Sequence, residues 1–291
     1  MSRTVRYGIF IMIIVLLGIM PYLAPRWLTT LTFASFFAIF AMAWDLLAAT
    51  GQISFGHAFF IGVAAYISGF LNVYLQLPPW ATIPLGMLAA GLAGLLIGWP
   101  ALRLRGAYLS LVTLILPIAA LKLVIIFSAV TGGELGKPVT PFPSIDIRTP
   151  YQTFQRINYY YALGLMAFIG ASLIFIATSR LGVIFEAIRE DEDAAEAAGL
   201  NTAKFKILAF VVSALVAGLG GASYVHVGSF PYVQPIGPDG VFSSELSILL
   251  IVASVVGGLG TIIGPMAGAY ALKVGQQYLR DLASQVPSLA F

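Results

Sequence analysis

The residues best placed to do chemistry lie in Arg180–Lys206, RLGVIFEAIREDEDAAEAAGLNTAKFK, the most charged stretch of an otherwise apolar chain. It holds six of the twelve carboxylates and four of the fifteen Lys and Arg residues, with long hydrophobic runs on both sides. The chemistry such a segment offers is recognition rather than bond-making. From about Phe185 to Ala198 it lacks Gly and Pro and is rich in Ala, Glu and Arg, which predicts one short helix. Gly199 is placed to end that helix in the left-handed conformation. Asn201 is placed to cap the helix that follows. Glu186/Glu190 and Glu192/Glu196 set like charges one turn apart, and Arg189–Asp193 is the clear i,i+4 attraction. With Ala194, Ala195, Ala197 and Ala198 flush against the backbone, the surface suits docking against another protein. The competing reading is a solvated loop that merely joins two spans, since a charge run is usually a solvated face.

Other polar residues interrupt the apolar runs. In Gly51–His57, GQISFGH, the side chains of Gln52, Ser54 and His57 are costly against lipid and are expected to face the bundle or a water-filled path. At membrane depth, the free N–H groups before the next helix favour an anion. At the interface, the same stretch is a turn with Ser54 capping that helix. Asp45 follows Trp44 near the end of a run, so it is either an intramembrane carboxylate or an interfacial one. Lys122 lies mid-run, as a solute or ion contact or as a snorkelling side chain. His57 and His226 stand alone in their segments, so no metal-ligand cluster is expected. GGELGKP at Gly132–Pro138 lacks the first Gly and the final Ser/Thr of a phosphate loop. No Ser-His-Asp or paired-carboxylate arrangement points to hydrolysis, and no row of acids and bases threads the spans.

The elements that carry these residues follow from composition. Hydrophobic residues make up 59% and charged residues 9% of the 291-residue chain. A soluble surface needs about 25% charged residues, so this is an integral membrane protein. Long continuous apolar runs exclude a β-barrel and point to an all-α polytopic domain, 1–291, with about eight to ten spans of ~20 residues. Candidate spans are 8–24, 31–49, 57–76, 81–100, 108–129, 158–179, 206–227, 245–263 and 265–280. The first run is too long for a cleaved signal and reads as a retained span. Counting from a cytoplasmic N-terminus, Arg103, Arg105 and Arg180–Lys206 all fall inside, in keeping with the positive-inside rule. Thr131–Arg156 and Pro231–Ser244 then lie outside. Gly257–Gly258, Gly260 and Gly264–Pro265 break the last apolar stretch, which is a span, a re-entrant segment or both. Gly56–Tyr66 and Gly264–Tyr270 share small residues four apart and an Ala-Tyr ending, a weak sign of inverted repeats with broken helices. The net charge of +3 does not imply nucleic acid, and without cysteine there is no disulfide or thiol chemistry.

Four stretches, in order, carry a resemblance to a known family: Gly51–Gly69, Leu102–Thr113, Arg180–Gly221 and Ser247–Tyr270. Together they resemble the LivM-type permeases, the membrane subunits of branched-chain amino acid ABC importers. The resemblance implies that Glu186–Leu200 is a coupling segment seated in a groove of a cytoplasmic ATPase. Arg189, Glu190, Asp191, Ala195, Glu196, Ala198 and Gly199 match the family's pattern position by position. It also implies a sister permease, two ATPase subunits that carry ATP and Mg, and a periplasmic or surface-anchored solute-binding protein. No cofactor is expected on this chain, and its setting is a bacterial or archaeal cytoplasmic membrane. One departure concerns the external loop, GGELG here against a Gly-Gly-Ser-Asp-Gly type in the family, which leaves the solute open between branched-chain amino acids and urea or short amides. A self-sufficient secondary carrier or channel is the competing class, and it predicts a gradient-coupled site within the spans.

Overall fold

A computed structural model of the chain describes residues 3–101, 107–143, 149–227 and 238–285. Arg103, Arg105 and part of the Pro231–Ser244 loop lie outside the described residues. Among the described residues there is helix and no strand. In chain order the helices are α1 (Arg3–Leu23), α2 (Leu28–Ala48), α3 (His57–Leu75), α4 (Pro79–Ala101), α5 (Ala107–Ile126), α6 (Ser128–Thr131), α7 (Tyr151–Ala177), α8 (Arg180–Glu190), α9 (Glu192–Ala197), α10 (Thr202–Tyr224), α11 (Pro238–Val241), α12 (Ser244–Gly257) and α13 (Ile263–Gln285).

Seven of these, α1 to α5, α7 and α10, are long and apolar enough to cross a membrane. Where eight to ten spans are expected, seven helices among the described residues meet this test, and the last two candidate spans form a broken pair. The run expected to span 245–263 ends as helix at Gly257, and the next helix starts at Ile263. At ~1.5 Å per residue, the 14-residue α12 covers about 21 Å and falls short of a ~30 Å hydrocarbon core. Its stop is local: Gly258 and Gly260 take φ of +108° and +74°, and the chain cannot continue as a right-handed helix through them. α13 is long enough to cross but carries Lys273, Arg280 and Asp281.

The bundle is built around α2, which is hydrophobic on every side and buried along most of its length, as an all-round apolar helix requires. α7, α10, α12 and α13 pack on it, and α10 in turn packs on α3 and α4. α1 is peripheral, with Ile11, Met12, Val15, Leu16 and Ile19 exposed for lipid. Lipid supplies no hydrophobic drive between helices, so close backbone approach has to hold them. Gly221 of α10 makes the point, since a Cβ there would stand 2.4 Å from the Ile61 carbonyl oxygen of α3. Gly221→Val is expected to overpack this crossing by about 1–3 kcal/mol and to lower the amount of folded protein recovered from membranes. Detergent-solubilised size-exclusion profiles would read it, and an unchanged monodisperse yield would contradict the assignment.

The connectivity gathers the N-terminus of α1, the α2–α3 and α12–α13 connections and the α8–α9 segment at one end of the bundle. Arg6, Asp45, Ala177, Arg189 and Gly260 meet there around one cavity. His226 belongs to the opposite end, where Nδ1 donates to the Thr140 carbonyl at 2.7 Å and the Phe142 amide donates to the His226 carbonyl at 2.8 Å.

Candidate functional site

The charged segment is two helices rather than one. Asp191 takes an extended conformation, φ −156° and ψ 102°, and its carboxylate accepts from the Ala194 amide at 2.9 Å. It is thus the N-cap of α9, with Glu192 and Asp193 in the first turn where the helix dipole favours carboxylates. The break puts Arg189 and Asp193 on different helices, α8 and α9. Arg189 lies 3.0 Å from Glu190 and 3.9 Å from Glu186, relieving the like charges of α8. On α9, Glu192 pairs with Lys206, and Glu196 accepts from the Thr202 hydroxyl at 2.5 Å. Those contacts fasten α9 to the start of α10.

Both helix ends are closed as their residue types predict. Gly199 has φ +87°, its amide donates to the Glu196 carbonyl, and the Leu200 amide reaches back to Ala195. Asn201 accepts from the Lys204 amide at 2.9 Å and caps α10. α8 buries Phe185 and Ile188, and α9 buries Ala195. The opposite surface, with Glu186, Ala187, Glu190, Asp193, Ala194, Ala197 and Ala198, is exposed. It is a charged and alanine-rich face.

Beneath this face sits Asp45, fully buried near the C-terminal end of α2. Its carboxyl accepts from the Gly260 amide at 2.7 Å and from the Ile262 amide at 3.3 Å. Ile262 is held at φ +63°, a conformation a β-branched residue adopts only when its surroundings enforce it. Arg189 completes the junction. A Cβ added at Gly260 would lie 2.9 Å from the Arg189 Nη1, and one at Gly51 would lie 3.6 Å from the Arg189 Cα. The end of α8 therefore rests on both the α2–α3 and the α12–α13 connections. A cavity of about 210 Å³ opens at this junction. Such an arrangement can pass a displacement of the α8–α9 face to two connections of the bundle. It offers no nucleophile–base pair, and no group of metal-ligand residues occurs among the described residues.

A family model described as branched-chain amino acid transport system / permease component matches residues 26–290. The chain belongs to that permease family. It is 26% identical to the high-affinity branched-chain amino acid transport system permease protein LivM of Salmonella typhimurium and 27% identical to LivM of Escherichia coli, in each case over 96% of this chain and 70% of the relative. It is 25% identical to LivH of Salmonella typhimurium over 88% of this chain and 85% of the relative. No solved structure matches it.

In this permease the polar residues of Gly51–His57 form a buried seam. Gln52 accepts from the Thr50 hydroxyl at 3.2 Å. Ser54 does not cap α3; its hydroxyl accepts from the Gly56 amide, and its carbonyl accepts from the Trp44 indole at 2.7 Å. His57 is fully buried, with Nε2 2.8 Å from the Ser213 hydroxyl. Because Ser213 donates to the Ala43 carbonyl at 2.6 Å, Nε2 carries the proton and donates to Ser213. The His57 Nδ1 has no hydrogen-bond partner among the described residues. Ser213 of α10 and Ser247 of α12, which accepts from the Ala58 amide, were not legible as partners, since nothing local marks them. Lys122 sits apart from all of these, on the exposed face of α5 with Leu123 and Ile126. The structure thus brings Asp45 and Arg189 to one junction, places Ser54 against α2 and His57 against α10, and leaves Lys122 elsewhere.

Proposed function

We propose that this permease is one membrane half of an ATP-binding-cassette importer for branched-chain amino acids, and that α8–α9 is where it meets its ATPase. The observation that carries this reading is the seating of Arg189. Its side chain lies over Gly260 and beside Gly51 while its helix presents an exposed charged face. A partner gripping that face would move the α2–α3 and α12–α13 connections together. ATP and Mg would belong to two cytoplasmic ATPase subunits, whose cycle would rock the bundle between outward- and inward-facing states. The end of the bundle bearing Arg6, α8 and α9 would be cytoplasmic, the N-terminus with it. Likeness to both LivM and LivH supports pairing with a sister permease, and a solute-binding protein would deliver the amino acid at the opposite end.

Mild-detergent affinity purification with identification of co-purifying proteins, followed by an ATPase assay, tests the reading. Recovery of a second permease and ATPase subunits, with hydrolysis stimulated by leucine-loaded binding protein, is the expected result. Recovery of the chain alone, with gradient-driven flux after reconstitution, would overturn it. The cap of α9 supplies a finer test. No atom lies within 4 Å of a Cβ added at Gly199, so Gly199→Val acts only through its backbone, at about 1–2 kcal/mol for holding a β-branched residue in the left-handed region. Uptake per unit of membrane-inserted protein is expected to fall in Gly199→Val and to be largely kept in Gly199→Asn, because Asn tolerates that conformation. Equal uptake in wild type and Gly199→Val would contradict the cap's role.

A further inference from the structure

A second cavity, of about 100 Å³, lies in the body of the bundle away from the α8–α9 end. One face of α2 lines it with Phe33, Phe36, Phe37 and Phe40, spaced at helical periodicity, α10 adds Tyr224 and α13 adds Lys273. The Tyr224 ring stands edge-on to Phe33, Phe36 and Phe40 at centroid distances of 5.7, 5.6 and 6.2 Å. The Lys273 ammonium lies 4.5 Å from the centroid of the Phe37 ring. It sits about ten residues into α13, or ~15 Å along the helix axis from its first residue. No carboxylate among the described residues forms an ion pair with it. Glu245 and Arg280 are the charged groups whose fields reach it.

A cation held among aromatic side chains inside the bundle is costly unless something compensates it, and a single aromatic face does so only in part. Everything the cavity lacks is what an amino-acid zwitterion brings. Its carboxylate would complete Lys273 with a charge-assisted hydrogen bond. Its ammonium would find aromatic faces, and its aliphatic side chain would find the apolar wall. We propose that this cavity is a solute site on the translocation path, with Lys273 holding the α-carboxylate of a branched-chain amino acid and the phenylalanine face of α2 holding its side chain. The proposal rests on the importer reading above and adds to it the residues that recognise the solute inside the membrane.

The test uses the assembled importer in proteoliposomes with its binding protein, reading labelled leucine uptake and ATP hydrolysis side by side. Lys273→Gln is expected to cut uptake about tenfold or more, the loss of roughly one charge-assisted contact, while hydrolysis stimulated by loaded binding protein stays within about twofold. Lys273→Arg, which keeps the charge, is expected to retain much of the uptake. A direct reading is available because the chain has no cysteine of its own. A thiol placed by Leu246→Cys, on the cavity wall, is expected to react more slowly with a small methanethiosulfonate when leucine is present. Leucinol, which lacks the carboxylate, is expected to give no protection, and Lys273→Gln to abolish the protection by leucine. Wild-type uptake in Lys273→Gln, or protection by leucinol equal to that by leucine, overturns the site alone. A wild-type assembly that imports no branched-chain amino acid sinks the importer reading instead, and the site with it.

Discussion

Replacing Arg189 with Glu is expected to lower ATP-coupled uptake about tenfold or more while leaving the amount of membrane-inserted protein within about twofold. The two halves of that expectation have different physical sources. The ion pairs of Arg189 with Glu190 and Glu186 lie on an exposed helix face, where such pairs contribute only ~0–1 kcal/mol. Removing them costs the fold little. Reversing the charge, however, sets a third carboxylate between Glu186 and Glu190 and directly over the buried Asp45, whose carboxyl feels the field of Arg189. Like charges one turn apart oppose the helix, and repulsion from Asp45 lifts the end of α8 off Gly260. If ATPase docking reaches the bundle through that contact, hydrolysis continues and transport fails. Arg189→Lys keeps the charge but loses the planar fork and is expected to fall between. Measuring uptake and hydrolysis in the same vesicles separates the outcomes. Parallel loss of protein level and uptake would make Arg189 a folding residue and remove it from the coupling route.

Why some of this architecture was legible from the residues and some was not comes down to range. Continuous apolar runs report a lipid-crossing helix whatever packs against it, so α1 to α5, α7 and α10 fall on the expected stretches. Caps are equally local: Gly199 and Asn201 close α9 and open α10 with groups at most five residues away. The break at Asp191 had a local signal that was outweighed by helix propensity, namely a capping residue followed by two carboxylates in a first turn. The stop of α12 was flagged by its glycines, but a break alone does not distinguish a short span from a re-entrant one. Asp45 and Gly260 are 215 residues apart, and only the assembled bundle puts them together. Lys122 and Lys273 illustrate the limit most sharply. Each is a lysine within a long helix, and only packing turns one outward on α5 and the other onto the Phe37 ring.

Asp45→Ala is expected to be the more damaging change for transport, and its effect should be local in structure. Alanine leaves the amides of Gly260 and Ile262 without an acceptor in a buried setting, at about 1–3 kcal/mol each. It also releases the enforcement of the Ile262 backbone, whose left-handed conformation stores about 1–3 kcal/mol of strain. With both lost, 257–263 is expected to relax to another conformation. The helices on either side should survive, because they also touch through small residues: a Cβ on Gly268 would stand 2.0 Å from the Ala253 carbonyl oxygen. Faster hydrogen exchange confined to 257–263, with near-wild-type protection in α2 and α10, is the expected signature. Uptake should be lost while stimulated hydrolysis persists, since the face offered by α8–α9 is unchanged but no longer rests on a defined connection. Asp45→Asn keeps one acceptor oxygen and removes the charge facing Arg189, so it should hold the connection better than alanine and couple less well than wild type. Should Asp45→Ala exchange normally at 257–263 and import normally, Asp45 anchors nothing, and the connection is held by α12 and α13 alone.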